Sequence, residues 1–276
     1  SRLLKTPLKR FWLPLRKKLP CLILSRRREM NPHKEILIFE DSHSLTNHLI
    51  KQWCRIAQQA IADQGLFNAA LSGGHTPMEF YSQLPLCEEF RLLWPKTHIF
   101  LGDERFVPWD DEGSNFRMIK ANLLDRVPIP AHNVHPIRTH QESVAIAADE
   151  FKDDLMYHFA CQKKRLPRFD LILLGVGEDG HTASLFPEMH LTQDESTLTQ
   201  AVSLPRIKNE RVSLTLPVIN NASHVIFLIL GARKAAIAKK IIDENFSCPA
   251  SLIQPLRQGR LIYLLDKEAA QGLSPS

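Results

Sequence analysis

From about residue 36 onward, apolar positions alternate between short continuous runs and stretches of helical spacing. Ile36-Leu37-Ile38-Phe39 reads as a strand. Over 43–63, Leu45, Leu49, Ile56, Ala60 and Ile61 fall on one side of a helix, with Gly65 as its stop. Residues 66–71 read as a strand, followed by the turn Ser72-Gly73-Gly74 and a short helix after Pro77. His98-Ile99-Phe100-Leu101 is a strand ending in Gly102-Asp103-Glu104-Arg105. Helices are expected over 115–126, 141–163 and 232–243, and strands over 171–174, 211–216, 225–230 and 261–265. Continuous apolar strands separated by helices predict a parallel sheet covered on both faces. No period of 20–50 residues repeats, so residues 30–276 are expected to form one α/β domain.

Residues 1–29 break this pattern. They carry ten Lys or Arg, one acid (Glu29) and three prolines, and their apolar stretch Cys21-Leu22-Ile23-Leu24 is too short for a signal-peptide core. They read as a basic, disordered extension or as a misassigned start ahead of Met30. Of the formal net charge of +5, this segment supplies +9, so the rest of the chain carries −4. The basic pI is therefore no argument for a nucleic-acid partner. No run of 18 apolar residues suggests a membrane span. The five cysteines are scattered, with no CxxC pair, which fits a reducing compartment better than a disulfide framework or a zinc site.

Candidate chemistry sits where strands end, the usual ligand side of such sheets. In Ser72-Gly73-Gly74-His75-Thr76-Pro77-Met78-Glu79, paired glycines let backbone N–H groups turn outward. Thr76 is expected at the N-cap, Pro77 at N1 and Glu79 at N3, a capping box whose free amides suit a phosphate. A capped helix with nothing bound has the same pattern. The P-loop spacing GxxxxGK[ST] is missing. Gly175-Val176-Gly177-Glu178-Asp179-Gly180 matches the dinucleotide fingerprint literally. However, Pro187 stops any helix early, and the polar residues 188–200 offer no strand to carry a ribose-binding acid.

Asp179-Gly180-His181 offers more. Hydrolysis of a carbonyl near neutral pH needs a base that takes a proton from water, and a carboxylate two residues away can orient the imidazole. A loop histidine held only for structure is the competing reading. Arg105 suits a carboxylate or phosphate, Asp103 suits orienting a catalytic group or hydroxyl, and Glu104 reads as part of a surface ion-pair cluster. Arg211 opens a strand, and Lys234 stands near a helix start, within reach of phosphate or solvated there. Asn115 reads as a helix cap. There is no GxSxG and no HExxH. His132 and His135 form an HxxH without an adjacent carboxylate and read as loop residues, so no catalytic metal is expected.

Together, these stretches resemble the 6-phosphogluconolactonase family, over about residues 36–265. The likeness is carried by Leu71–Pro77, Gly102–Arg105, Gly175 through His181 to Pro187, Arg211–Pro217 and Gly231–Ala235. It implies a three-layer, Rossmann-like parallel-sheet fold of the glucosamine-6-phosphate deaminase/ribose-5-phosphate isomerase type. It also implies hydrolysis of 6-phosphoglucono-δ-lactone to 6-phosphogluconate. By the same likeness His181 is the general base and Asp179 its support. Arg105, Arg211, Lys234 and the loop of Ser72, Gly73, Gly74 and Thr76 would hold the substrate. Phe186 stands where deaminases of this fold carry Glu, and His75 where many relatives have Ser. Arg233 beside Lys234 leaves open which cation faces the site. The expected partner is the small sugar-phosphate lactone, with no cofactor, nucleic acid or membrane, for a cytoplasmic monomer. The rivals are a deaminase and a non-catalytic sugar-phosphate sensor.

Overall fold

The computed structural model describes residues 33–160, 166–244, 246–256 and 258–274. The basic segment 1–29 lies outside the described residues. In chain order the elements are β1 (Lys34–Phe39), α1 (Ser42–Gln64), β2 (Phe67–Leu71), α2 (Met78–Gln83), β3 (Thr97–Leu101), β4 (Asp103–Arg105) and α3 (Asn115–Asn122). They continue with β5 (Val134–His135), α4 (Val144–His158), β6 (Leu171–Leu174), β7 (Thr199–Val202), β8 (Arg211–Leu214) and α5 (Leu216–Asn220). The last are β9 (His224–Ile229), α6 (Ala235–Ile242) and β10 (Arg260–Asp266), with short 3₁₀ turns between several of them.

Among the described residues, seven strands form the main sheet in the order β1-β10-β9-β6-β2-β3-β5. Every pairing in it is parallel, for example Ala69 with Leu171 and Leu71 with Leu101. β2 and β6 are buried at every position, as strands under helices on both faces should be, although β2 includes the polar Asn68. α1 shows why the helices pack. Asp41 caps its start by accepting the Ser44 N–H at 2.8 Å, and Gly65, at φ 88°, ends it. Leu45, Leu49, Trp53, Ile56 and Ala57 on one side are at most 3% exposed. Trp53 meets Phe67, Phe80 and Phe90 at ring-centroid distances of 5.0–5.9 Å. Each such side chain stabilises the fold by about 1.5–3 kcal/mol relative to leaving it in water.

The strand order places the site. From β2 the chain moves through β3 to β5 on one side, and from β6 through β9 to β10 on the other. The order therefore reverses between β2 and β6, and a crevice opens outside the carboxyl ends of strands at such a point. The turns 72–77 and 175–181 leave β2 and β6 there.

Four sequence expectations change. The strand beginning at Arg211 is not in the parallel sheet. β8 lies between β4 and β7 in a separate antiparallel sheet, pairing Asp103 with Ser213 and Arg105 with Arg211. Part of the segment read as strandless does pair, since β7 begins at Thr199. The helix expected over 141–163 ends at His158. The capping box at Thr76 does not form. Pro77 occupies the N-cap with φ −84° and ψ 0° and has no side chain to bond, while Glu79 turns to Gln83 and His43.

Candidate active site

The turn after β2 is held from below. The Tyr81 hydroxyl donates to the Ser72 carbonyl at 2.7 Å, and Tyr81 itself is fully buried. Gly73 lies directly under Asn115. A methyl group there would fall 1.8 Å from the Asn115 Oδ1, so only glycine permits the approach. Among the described residues, the backbone N–H groups of Gly73, Gly74, His75 and Thr76 find no protein acceptor. Their hydrogen-bonding capacity is left for solvent or a ligand.

The turn after β6 closes on itself. The Gly177 N–H donates to the His181 carbonyl at 2.8 Å, the Gly180 N–H to the Gly177 carbonyl at 3.0 Å, and Gly180 takes φ 89°. This fold-back brings the Asp179 Oδ1 to 2.5 Å from the His181 Nδ1 and to 3.1 Å from the His181 backbone N–H. Gly177 is required here too, since a Cβ would meet the His181 Nδ1 at 2.1 Å. Arg206 binds the other Asp179 oxygen at 2.6 Å and also grips Glu188. Burial works against the Asp179 anion, but the His181 N–H, its imidazole and Arg206 outweigh it and hold the carboxyl at about 2, below its ordinary 3.8. Asp179 is thus an anion across the physiological range, and the proton on His181 Nδ1 points to it. The Phe186 ring lies 4.7 Å from the imidazole, with the guanidinium groups of Arg206 and Arg211 at 4.8 and 5.7 Å from the Phe186 ring.

Asp103 and Arg105 reach the crevice through β4. The Asp103 side chain accepts from Ser184 at 2.6 Å and stands 3.9 Å from Arg211. Asn115 donates to the Asp103 carbonyl at 2.9 Å. Glu104 is no surface ion pair. It is fully buried and accepts from the N–H groups of Arg105, Asn115 and Phe116 at 2.7 Å and from the Ser114 hydroxyl at 3.0 Å. Burial nonetheless pushes its carboxyl upward. It caps α3 together with Ser114, the N-cap residue, so Asn115 sits one position inside the helix. Arg105 donates to the Gly113 carbonyl at 2.6 Å. Among the described residues, the Nε atoms of Arg105 and Arg211 are buried and find no acceptor. Burial, with Arg105 and Arg206 nearby, lowers the Arg211 guanidinium from its ordinary value even though Asp103 opposes this. Such a crowd of cations is relieved by an anion.

On the far wall, Gly231 starts the turn that carries Arg233 and Lys234. Both Asp266 carboxylate oxygens, at the end of β10, accept the Gly231 N–H, at 2.9 and 3.0 Å. The Arg233 side chain is 89% exposed and lies 3.9 Å from Glu178, whereas Lys234 is half-buried.

These walls enclose a cleft of about 300 Å³. Ser72, Gly73, Gly74, Thr76, Asp103, Arg105, His181, Arg211 and Lys234 all line it, as do His75, Asn115 and Arg233. Asp179 stands behind His181. Sequence reasoning missed Arg206 and Ser184. Arg206 sits in a polar loop with no motif around it. Ser184 lay within a recognised stretch, but its partner Asp103 is 81 residues away.

A model of the family described as glucosamine-6-phosphate isomerases/6-phosphogluconolactonase matches residues 40–263. The chain belongs to that family. Among the family's curated members, the 6-phosphogluconolactonase of Synechocystis is 38% identical over 250 residues, covering 88% of this chain and 96% of its own. The solved 6-phosphogluconolactonase from Trypanosoma cruzi superposes with a TM-score of 0.77 at 30% identity, covering 91% of this chain and all of its own. A monomeric glucosamine-6-phosphate deaminase shares the fold at 17% identity, with a TM-score of 0.72 over 86% of this chain and 99% of its own. Among the described residues, no helix is long and apolar enough to cross a membrane.

Proposed function

We propose that this chain hydrolyses 6-phosphoglucono-δ-lactone to 6-phosphogluconate, with His181 activating the water. The observation that carries this reading is the His181 imidazole, held by the Asp179 anion at 2.5 Å and lining the same cleft as Arg105, Arg211, Lys234 and the free amides of the Gly73-Gly74 turn. The phosphate docks on those amides and on Lys234, and the lactone carbonyl is brought to the imidazole. With its Nδ1–H directed to Asp179, His181 presents a basic Nε2. That nitrogen takes a proton from water as the oxygen attacks the carbonyl carbon. The tetrahedral oxyanion is stabilised by neighbouring donors, for which the Arg211 and Arg105 guanidinium groups are placed. The imidazolium, steadied by Asp179, then gives its proton to the ring oxygen as the carbon–oxygen bond breaks. Asp103, anchored by Ser184, orients a substrate hydroxyl or Arg211. No cofactor enters these steps, and the enzyme is taken to act as a cytoplasmic monomer.

Phe186 weighs against deamination, because a phenyl ring packed on the imidazole transfers no proton. The test is acid release from freshly made lactone, with spontaneous opening subtracted. Losing a general base costs about 10²–10⁴-fold in rate, so His181→Ala is expected to fall by that factor in kcat/KM. Near-normal kcat/KM in that variant would remove His181 from the role. Wild-type protein that binds sugar phosphate tightly but consumes no lactone would make the chain a sensor. Ammonia release from glucosamine 6-phosphate would make it a deaminase.

A further inference from the structure

At the β5 edge of the main sheet, away from the cleft, three histidines from three elements meet. His98 lies on β3, His135 on β5 and His158 at the end of α4. One ring nitrogen from each lies within 4.8 Å of the others. None of the residues lining the surface cleft here lines the site between β2 and β6.

The partners of two rings decide which nitrogens remain open. Asp154, on α4, approaches the His135 Nδ1 at 2.9 Å. A carboxylate only accepts, so His135 carries its proton on Nδ1 and keeps its lone pair on Nε2. Asn68 on β2 places its Oδ1 2.7 Å from the His158 Nε2. An amide oxygen only accepts, so the His158 lone pair is on Nδ1. The His98 Nδ1 lies 3.1 Å from the His135 Nε2 and donates its proton there without an ion; ligation through Nδ1 moves that proton to the His98 Nε2. Tetrahedral zinc–nitrogen bonds of about 2.0–2.1 Å put neighbouring nitrogens about 3.4 Å apart. Two of the three ligands are therefore already at ligating separation, and modest ring rotation brings in the third. Phe100 stacks on His135 at 4.0 Å and 5° and fixes its plane.

We propose that His98 Nδ1, His135 Nε2 and His158 Nδ1 bind one zinc-class divalent ion, with Asp154 and Asn68 as the outer groups that orient two of the rings. The fourth position opens on the surface cleft, where water completes the sphere. Three imidazoles select zinc, nickel or copper over magnesium and calcium, which prefer oxygen. An ion here ties β3, β5 and α4 together. It pins β5, a two-residue strand that among the described residues pairs with β3 alone, to α4.

The full chain, free of any histidine tag and stripped with chelator, is titrated with zinc chloride by calorimetry, and its Tm is followed in parallel. One zinc ion per chain and a rise in Tm are expected, with no response to magnesium. His98→Gln and His158→Asn each abolish this binding while keeping the far-ultraviolet dichroism of the wild type. Asp154→Asn retains the ion but weakens it about 10–100-fold, the usual cost of losing an outer carboxylate. His181→Ala leaves zinc binding unchanged. Absence of zinc binding in the wild type overturns the proposal. Binding that survives both His98→Gln and His158→Asn, or that disappears with His181→Ala, overturns it as well. Should one variant fail to fold, the other decides.

Discussion

Two histidines in this molecule are each held by a carboxylate at Nδ1, yet they stand in opposite surroundings. His181 and Asp179 are 2.5 Å apart on a single glycine turn, and Arg206 occupies the second Asp179 oxygen. His135 and Asp154 are 2.9 Å apart, come from a strand and a helix, and have two further imidazoles as neighbours. In both pairs the carboxylate fixes the tautomer and leaves Nε2 basic. The neighbours then set its use. Guanidinium groups around His181 repel a metal cation and attract an anionic substrate, so the free nitrogen is suited to taking a proton from water. Imidazoles around His135 add lone pairs, so the free nitrogen is suited to sharing a metal.

The largest expected effect breaks the first pair without touching either member. Gly177→Ala would place a methyl carbon 2.1 Å from the His181 Nδ1 and 2.5 Å from the Asp179 Oδ1. Its kcat/KM is expected to fall about 10²–10⁴-fold, to the level of His181→Ala, since the base is displaced. Zinc binding at His135 should be unaffected. Lactone assays and metal titration on the same preparation check both halves.

Asp179→Asn sharpens the comparison by keeping the shape and removing the charge. Loss of the anion that steadies the imidazolium is expected to cost roughly 10²-fold in kcat. The variant also has a pH signature. A carboxyl held at about 2 instead of 3.8 stabilises the folded state fully above pH about 4, and that contribution disappears as pH falls through about 2. Asp179→Asn should therefore be less stable than wild type near neutrality and lose part of the wild type's acid sensitivity between those limits. Unfolding followed by fluorescence against pH measures this. Parallel curves for the two proteins would separate Asp179 from its partners.

The smallest effects concern the far wall. A charge-assisted hydrogen bond contributes about 1.5–3 kcal/mol, so Lys234→Ala is expected to raise KM about tenfold or more with kcat little changed. Arg233→Ala should alter KM less than about threefold, because an exposed ion pair such as Arg233 with Glu178 contributes little. The reverse ranking in initial-rate assays would assign the phosphate to Arg233.

How much of this could be read from the chain follows from the range of each interaction. β6 was legible because a strand buried on both faces leaves an unbroken apolar run, and β2 and β3 because the runs Ala69-Ala70-Leu71 and Ile99-Phe100-Leu101 are apolar and fully buried. The Asp179–His181 pair was legible because two residues on a turn meet without help from elsewhere. β4 was not, since a polar triad becomes a strand only when β8 pairs with it. Glu104 looked like a surface acid because its donors come from the start of a helix 10 to 12 residues on. Thr76 failed as a cap because the first helical hydrogen bond runs from the Tyr81 N–H to the Pro77 carbonyl, so the helix begins one residue later than the capping box requires. The histidine cluster was obscured by the HxxH spacing. That spacing pairs His135 with His132, whereas the β3–β5 pairing brings its ring to within 3.1 Å of His98, 37 residues away.

The Asp266 clamp on Gly231 sets an order in time. A nascent chain emerges from its N-terminus, so β1 is exposed long before β10, the only neighbour it has in the described sheet. The turn bearing Lys234 likewise stays untethered until residue 266 has cleared the ribosome. The wall offered to the phosphate is therefore the last to set. Ribosome stalling short of that residue should leave the Gly73-Gly74 amides in place while the share of the anion grip carried by Lys234 is still missing.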